Sequence, residues 1–197
     1  MHAPRLPVLP PTLRCTWLAH ARGEPAEPHV RAWAAAELGC PPGALRLTRD
    51  PHGRPQLDAP AGFDLSWSHS GDGLLVALGE GVEVGIDLER ARPRPRALEL
   101  AHRFFHPAEA AWLATLPATS REAAFLRLWC AKEAVLKAHG RGIAFGLHRF
   151  ELREESVPLE GVQLAIVAGD AELRGPWSLR EWVPCEGYFA ALAWRSR

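Results

Sequence analysis

The chain has 197 residues, 47% of them hydrophobic, and its 23 Lys+Arg are balanced by 23 Asp+Glu. That length suffices for one large domain or two small halves sharing a sizeable core, and the balanced charge lacks the signature of a nucleic-acid binder. Cys15, Cys40, Cys130 and Cys185 form no C-x-x-C and no zinc-finger spacing, so neither a metal knuckle nor a redox pair is suggested; prolines break MHAPRLPVLPPT before an apolar leader can form and no stretch approaches the length of a membrane span, so a soluble, cytoplasmic protein is expected.

Leu13 to His20 reads as a first strand, and His29 to Leu38 as an Ala-rich helix stopped by Gly39 and the Pro41-Pro42 pair. A turn-rich stretch, RDPHGRP, occupies 49–55. From Phe63 the period becomes two: FDLSW alternates, SHSGDG is expected as a turn, LLVAL is an apolar run, GEG is a second turn, and VEVGIDLE alternates again. This predicts a three-strand meander in which LLVAL pairs with VEVGI. In ARPRPRAL, at 91–98, proline alternates with arginine and resists both helix and central strand. The boundary between an N-terminal half, 1–90, and a C-terminal half, 91–197, is expected there. Helices are predicted around 97–104, 107–116 and 120–139, followed by a β-rich tail that includes SLREWV and YFAALAW. The fold class is α+β.

Within VEVGIDLE the strand period places Glu83, Gly85, Asp87 and Glu89 on one face. Asp87 and Glu89 are then about 6 to 7 Å apart, where like charges repel by about 2 to 3 kcal/mol at an effective dielectric near 20. Hard oxygen ligands without imidazole or thiolate neighbours favour Mg2+, and Gly85 would leave room beside them for a bulky ligand. The alternative is a solvated polar strand face, where screening removes most of the repulsion. The meander brings the SHSG turn to the same end, so Ser68 and His69 could cradle a phosphate; an ordinary surface turn is the competing reading. Arg54, in the turn-rich stretch, reads alone as an exposed base.

In LWCAKEAVLKAHGRG, Ala124, Leu128, Ala131, Val135 and Ala138 make a core stripe. A second column runs Phe125, Trp129, Glu133, Lys137, with Lys132 beside it. Glu133 and Lys137 alone would be an i, i+4 pair worth about 0.2 to 0.5 kcal/mol. An aromatic column leading directly into ions points instead to a helix that emerges from packing into a cleft.

GRP, SHSG, VGIDLE, RFFHPAEAAWL and LWCAKEAVLKAHGRGI resemble, in order and approximate spacing, the motifs of the 4′-phosphopantetheinyl transferases, and in length the two-half, surfactin-synthetase type of that family. The similarity runs roughly from Arg31 to the C-terminus. The resemblance implies a pseudo-dimeric fold of two similar α/β halves. It implies transfer of the phosphopantetheine arm of coenzyme A to a serine of an apo acyl or peptidyl carrier protein, with Mg2+ as cofactor and adenosine 3′,5′-bisphosphate as by-product. Asp87, Glu89 and Glu133 match the metal-binding carboxylates, and Glu133 the base towards the carrier serine. Lys137 matches the lysine on the leaving phosphate, with Lys132 in the same motif, while Arg54, Ser68 and His69 match the nucleotide-phosphate contacts.

One departure stands out: Gly23 to Pro28 replaces a longer basic helix, leaving Arg22, Arg31, His69 or Arg54 to hold the 3′-phosphate. Arg92, Arg94 and Arg96 could meet an acidic carrier helix, with a solvated linker as the competing reading. A monomer is expected. The rival functions are another Mg2+-dependent phosphotransferase and a non-catalytic coenzyme A-binding or carrier-docking module.

Overall fold

A computed structural model describes residues 3–157, 161–173 and 175–197. The chain runs β1 (Leu13–Ala19), α1 (Ala26–Glu37), β2 (Arg46–Arg49), β3 (Pro55–Ala59), β4 (Phe63–Ser70), β5 (Gly73–Glu80) and β6 (Val82–Arg90). Then follow α2 (Ala97–Phe104), α3 (Pro107–Thr115), α4 (Ala118–His139), β7 (Phe150–Val157), β8 (Gly161–Gly169), β9 (Ser178–Trp182) and β10 (Tyr188–Ser196). The fold is mixed α+β. Its strands form two three-stranded sheets, β1-β5-β4 and β6-β10-β9, and two hairpins, β2-β3 and β7-β8.

β5 is apolar from Leu74 to Leu78 because both faces are covered there. Leu74, Val76 and Leu78 pack with Val30 and Ala34 of α1, while Leu75 and Ala77 pack with Val84 and Ile86 of β6. The strand therefore belongs to the first sheet, paired with β1 and β4. It makes no ladder with β6, whose backbone partner is β10. The predicted pairing of LLVAL with VEVGI is corrected accordingly: the alternation in β6 reflects stacking between layers, not hairpin continuation.

The expected turn at 68–73 is also shorter than predicted. Ser68, His69 and Ser70 belong to β4, and the reversal is made by Gly71 and Asp72, with Gly71 at φ 64°. Strand geometry is favoured there because the polar residues of β4 have a task. Asp64 Oδ2 accepts from the N–H of Val84 at 2.8 Å, Ser66 Oγ from Ile86 at 3.1 Å and Ser70 Oγ from Arg90 at 3.0 Å. β6 uses its other edge for β10, so Asp64 and Ser66 satisfy backbone donors of Val84 and Ile86 that would otherwise be buried unpaired, while the Ser70 contact to Arg90 is exposed. β4 and β6 thus lie side by side in the same direction, each contact joining residue i to i+20, through side chains instead of a backbone ladder.

α4 crosses the face of β6 and β10. From Ala124 onwards it is buried around most of its circumference, with Leu128, Ala131 and Val135 at 1% exposure or less. It ends where Gly140 takes the left-handed conformation at φ 90° and returns its N–H to Leu136 O. Gly85 permits the close crossing: a Cβ on it would stand 2.1 Å from Ala134 O and 2.3 Å from the Ala138 nitrogen. The room at Gly85 is filled by the helix and is unavailable to a ligand, which corrects the expectation for that position. α3 begins with a capping box in which His106 N–H donates to Glu109 at 3.0 Å, so His106 is a helix cap.

Candidate functional site

The four carboxylates and cations singled out in the sequence come from two elements, β6 and α4. Asp87 points from β6 towards the helix and is 5% exposed, which rules out a solvated strand face. Its Oδ1 accepts from Ser68 Oγ and from Lys137 Nζ, both at 2.8 Å, while Oδ2 is buried without a hydrogen-bond partner. Lys137 also donates to Ile86 O at 3.1 Å. It therefore spans from its helix to the strand and does not close the i, i+4 pair with Glu133. Glu133 lies 6% exposed with its Oε1 unpartnered.

Burial, followed by the charges of Asp87 and Glu89, pushes the Glu133 carboxyl up to about 7, with Lys137 opposing. Glu89 is half-buried and pairs with Arg94 at 3.1 Å; burial, then Asp87, raises its carboxyl. Three carboxylates thus converge on one another's fields, and two of them are already met by cations. Among the described residues no three His, Cys, Asp or Glu side chains are gathered closely enough to hold a metal as they stand. Lys137 on Asp87 and Arg94 on Glu89 supply positive charge beside these carboxylates.

Arg54 is not an exposed base. Its Nε donates to Lys137 O at 2.7 Å, closing the C-terminal turn of α4, and its guanidinium is bonded to the buried Asp64. Here Asp64 links β4, β6 and the end of α4 at once. Its role was invisible in the sequence, although polar residues at 64, 66, 68 and 70 on one strand face are a signal of a polar neighbour. His69 lies at the end of β4 with its ring stacked on His20 at 4.8 Å between centroids. Burial, the His20 ring and Lys137 hold its imidazole below the usual range.

Lys132 is elsewhere. Neighbours on a helix diverge by about 100°, and Lys132 points away from Glu133 into the core, 0% exposed. Its Nζ donates to Leu147 O at 2.8 Å and Phe150 O at 2.6 Å, pairs with Glu109 at 2.8 Å, and lies 4.0 Å from the Phe150 ring centroid. Every ammonium proton is used, so the expectation that Lys132 contacts coenzyme A is corrected: it pins the segment after α4 onto the helix. Burial lowers its ammonium to about 8, with Glu109 opposing. Glu109, on the neighbouring helix motif, is the partner that sequence reading missed.

Beside Lys137 opens a cleft of about 260 Å³, lined by Arg49, His52, Arg54, Trp67, Leu136 and Lys137 among others. Its walls combine one indole with several cations. Arg31, by contrast, is tied to Leu45 O at 2.5 Å and to Glu27 at 3.2 Å.

Residues 83–192, from β6 to β10, match the family model described as 4′-phosphopantetheinyl transferase superfamily. The chain is 35% identical over 170 residues to the 4′-phosphopantetheinyl transferase HetI of Nostoc sp., an alignment that covers 83% of this chain and 66% of the relative. It is 39% identical over 102 residues to psf-1 of Bacillus pumilus, with 52% and 42% covered, and 29% identical over 109 residues to Sfp of Bacillus subtilis, with 55% and 47% covered. The chain thus spans between about two fifths and two thirds of the length of these relatives. The matched segment carries Asp87, Glu89, Glu133 and Lys137 together, and the chain belongs to the 4′-phosphopantetheinyl transferase superfamily.

Proposed function

We propose that the protein transfers the 4′-phosphopantetheine arm of coenzyme A to a serine of an apo acyl or peptidyl carrier protein, with Mg2+ as cofactor, releasing adenosine 3′,5′-bisphosphate. The observation that carries the reading is the pair of buried, unpartnered carboxylate oxygens, Asp87 Oδ2 and Glu133 Oε1, on facing elements beside a lysine. Orphaned buried acceptors are costly, and hard carboxylate oxygens are the ligand type that magnesium takes. Asp87, Glu89 and Glu133 would hold it, and it would supply charge neutralisation at the pyrophosphate of the donor.

The remaining chemistry belongs to side chains of this chain. Glu133, with a carboxyl raised to about 7, is poised to take the proton of the carrier serine near neutral pH. Lys137 is held on Asp87 by a single flexible stem and can turn to the departing phosphate, exchanging one anion for another. Ser68 orients Asp87. Arg54 braces the end of α4 next to the cleft and His69 stands at the strand end for the nucleotide phosphates. The bond formed joins the serine oxygen to the β-phosphorus of the donor, and the bond broken is the pyrophosphate bridge.

In this reading the chain is a monomer of two similar halves, 1–90 and 91–197. α1 packs on the first sheet and α4 on the second, with the site where β4 and β6 adjoin; because β6 (Val82–Arg90) pairs with β10, the two sheets divide at the β5–β6 turn, ahead of the proposed boundary at residue 90. Among the described residues the cysteines are unpaired, and no helix is long and apolar enough to cross a membrane; the reading includes cytoplasmic action. The deciding experiment incubates the full chain with coenzyme A, Mg2+ and an apo carrier. A gain of one phosphopantetheine on the carrier is the expected result. Binding of coenzyme A with no mass gain would leave only a docking module, and consumption of a nucleoside triphosphate instead would make it a different phosphotransferase.

A further inference from the structure

Lys132 stands next to Glu133 in the chain, yet the partners of its ammonium all lie in the core. From Ala124 onwards α4 is buried on nearly every side, so no polar stripe fixes which way the helix is turned. Its contact with the second sheet is also smooth. Ala131 and Ala134 share one core with Ala191 and Ala193 of β10, and the Ala134 carbonyl and the Ala138 nitrogen crowd Gly85. Side chains this short make shallow ridges, which resist rotation weakly. The site nevertheless needs that rotation set: a group about 5 to 6 Å from a helix axis moves about 2 Å when the helix turns by about 20°.

We propose that the buried Lys132–Glu109 pair is the positioning device of the site: its directional bonds fix the rotation and axial setting of α4 and so aim Glu133 at Asp87. The role of Glu133 rests on the transferase reading; the setting of the helix rests on the core contacts alone. Lys132 Nζ reaches Glu109 of α3 at 2.8 Å, Leu147 O at 2.8 Å and Phe150 O, at the start of β7, at 2.6 Å. These acceptors lie on two other parts of the fold, and an ammonium has three donors to give them. Glu109 is itself held, accepting from the N–H groups of His106 at 3.0 Å and Leu152 at 2.7 Å. Successive helix residues differ by about 100°, so pinning Lys132 in the core turns Glu133 towards β6. Well-packed apolar residues often replace a buried ion pair without loss of stability. What the pair adds over such packing is direction.

The test compares the full chain with two variants. Lys132→Met with Glu109→Gln removes the directional bonds of the ammonium while keeping the core filled and an amide oxygen for Leu152; Glu109→Gln alone leaves the ammonium on its two carbonyls. Urea midpoints and near-ultraviolet circular dichroism give the folded fraction of each. In the folded double variant, kcat for carrier modification should fall about tenfold and the KM for the carrier should stay within about twofold. The Kd for Mg2+ alone, by calorimetry, should rise several-fold. Glu109→Gln alone should lose less than about threefold in kcat. A folded double variant with the kcat and Mg2+ affinity of the wild type makes the pair structural only and overturns the proposal. So does a Glu109→Gln chain as impaired as the double variant, since charge and not direction would then set the helix. If the wild type binds Mg2+ but adds no mass to a carrier, the transferase reading falls, and the comparison of Mg2+ affinities still decides the positioning role.

Discussion

At the residue scale, two adjacent residues of one motif have opposite fates. Glu133 faces Asp87 and Lys132 faces the core. Glu133 carries a folded-state carboxyl raised to about 7 from 4.5, so its contribution to stability is full below the unfolded value and is lost as pH rises through 7. Glu133→Gln should therefore raise the unfolding free energy in metal-free buffer at pH 8 by about 1 to 3 kcal/mol, while abolishing carrier modification; urea unfolding at pH 4 and pH 8 checks the pH dependence, and equal effects at both would contradict it. Lys132→Met strands Glu109 in the core and should cost about 3 to 5 kcal/mol. The double variant Lys132→Met with Glu109→Gln should recover part of that. Had Lys132 served coenzyme A, its loss would appear as weakened binding in a chain of normal stability.

At the element scale, the site depends on how closely α4 lies on β6. Gly85→Ala places a methyl group against the helix backbone, where overpacking costs about 1 to 3 kcal/mol or more. The expected outcome is a lowered urea midpoint together with loss of the Mg2+-induced rise in Tm that the wild type should show and Asp87→Ala should lack. Ser66→Ala leaves the Ile86 N–H unpaired in the β4–β6 seam, a cost of about 1 to 3 kcal/mol measurable by the same unfolding. The helices were legible because proline and glycine punctuate them: α2, α3 and α4 begin and end within two residues of the sequence expectation. The β2–β3 hairpin was not, because strands of four and five residues around an Asx turn have too little periodicity to stand out from a turn-rich run.

At the scale of the whole molecule, the basic run after β6 divides. Arg94 is drawn inward by Glu89 and by a bond from its N–H to Glu122, whereas Arg92 and Arg96 remain exposed. Carrier docking is therefore proposed for Arg92 and Arg96 alone. Reversing their charge should raise the KM for an acidic carrier several-fold, on the order of 1 kcal/mol, and leave that for coenzyme A unchanged; equal effects on both substrates would contradict docking there.

By itself the sequence determined which residue types could do the chemistry and on which elements they lie: carboxylates alternating on a strand, a carboxylate and an ammonium one turn apart on a helix, and the family to which these motifs belong. Local periodicity carries that information because it is a property of consecutive residues. Only the tertiary structure decided the partners. Lys137 bonds to Asp87 and not Glu133, Arg54 to Asp64, and Lys132 to Glu109. Those choices follow from which buried charge lies nearest once the layers pack. Sequence periodicity does not encode that distance, because contacts between elements join residues far apart in the chain.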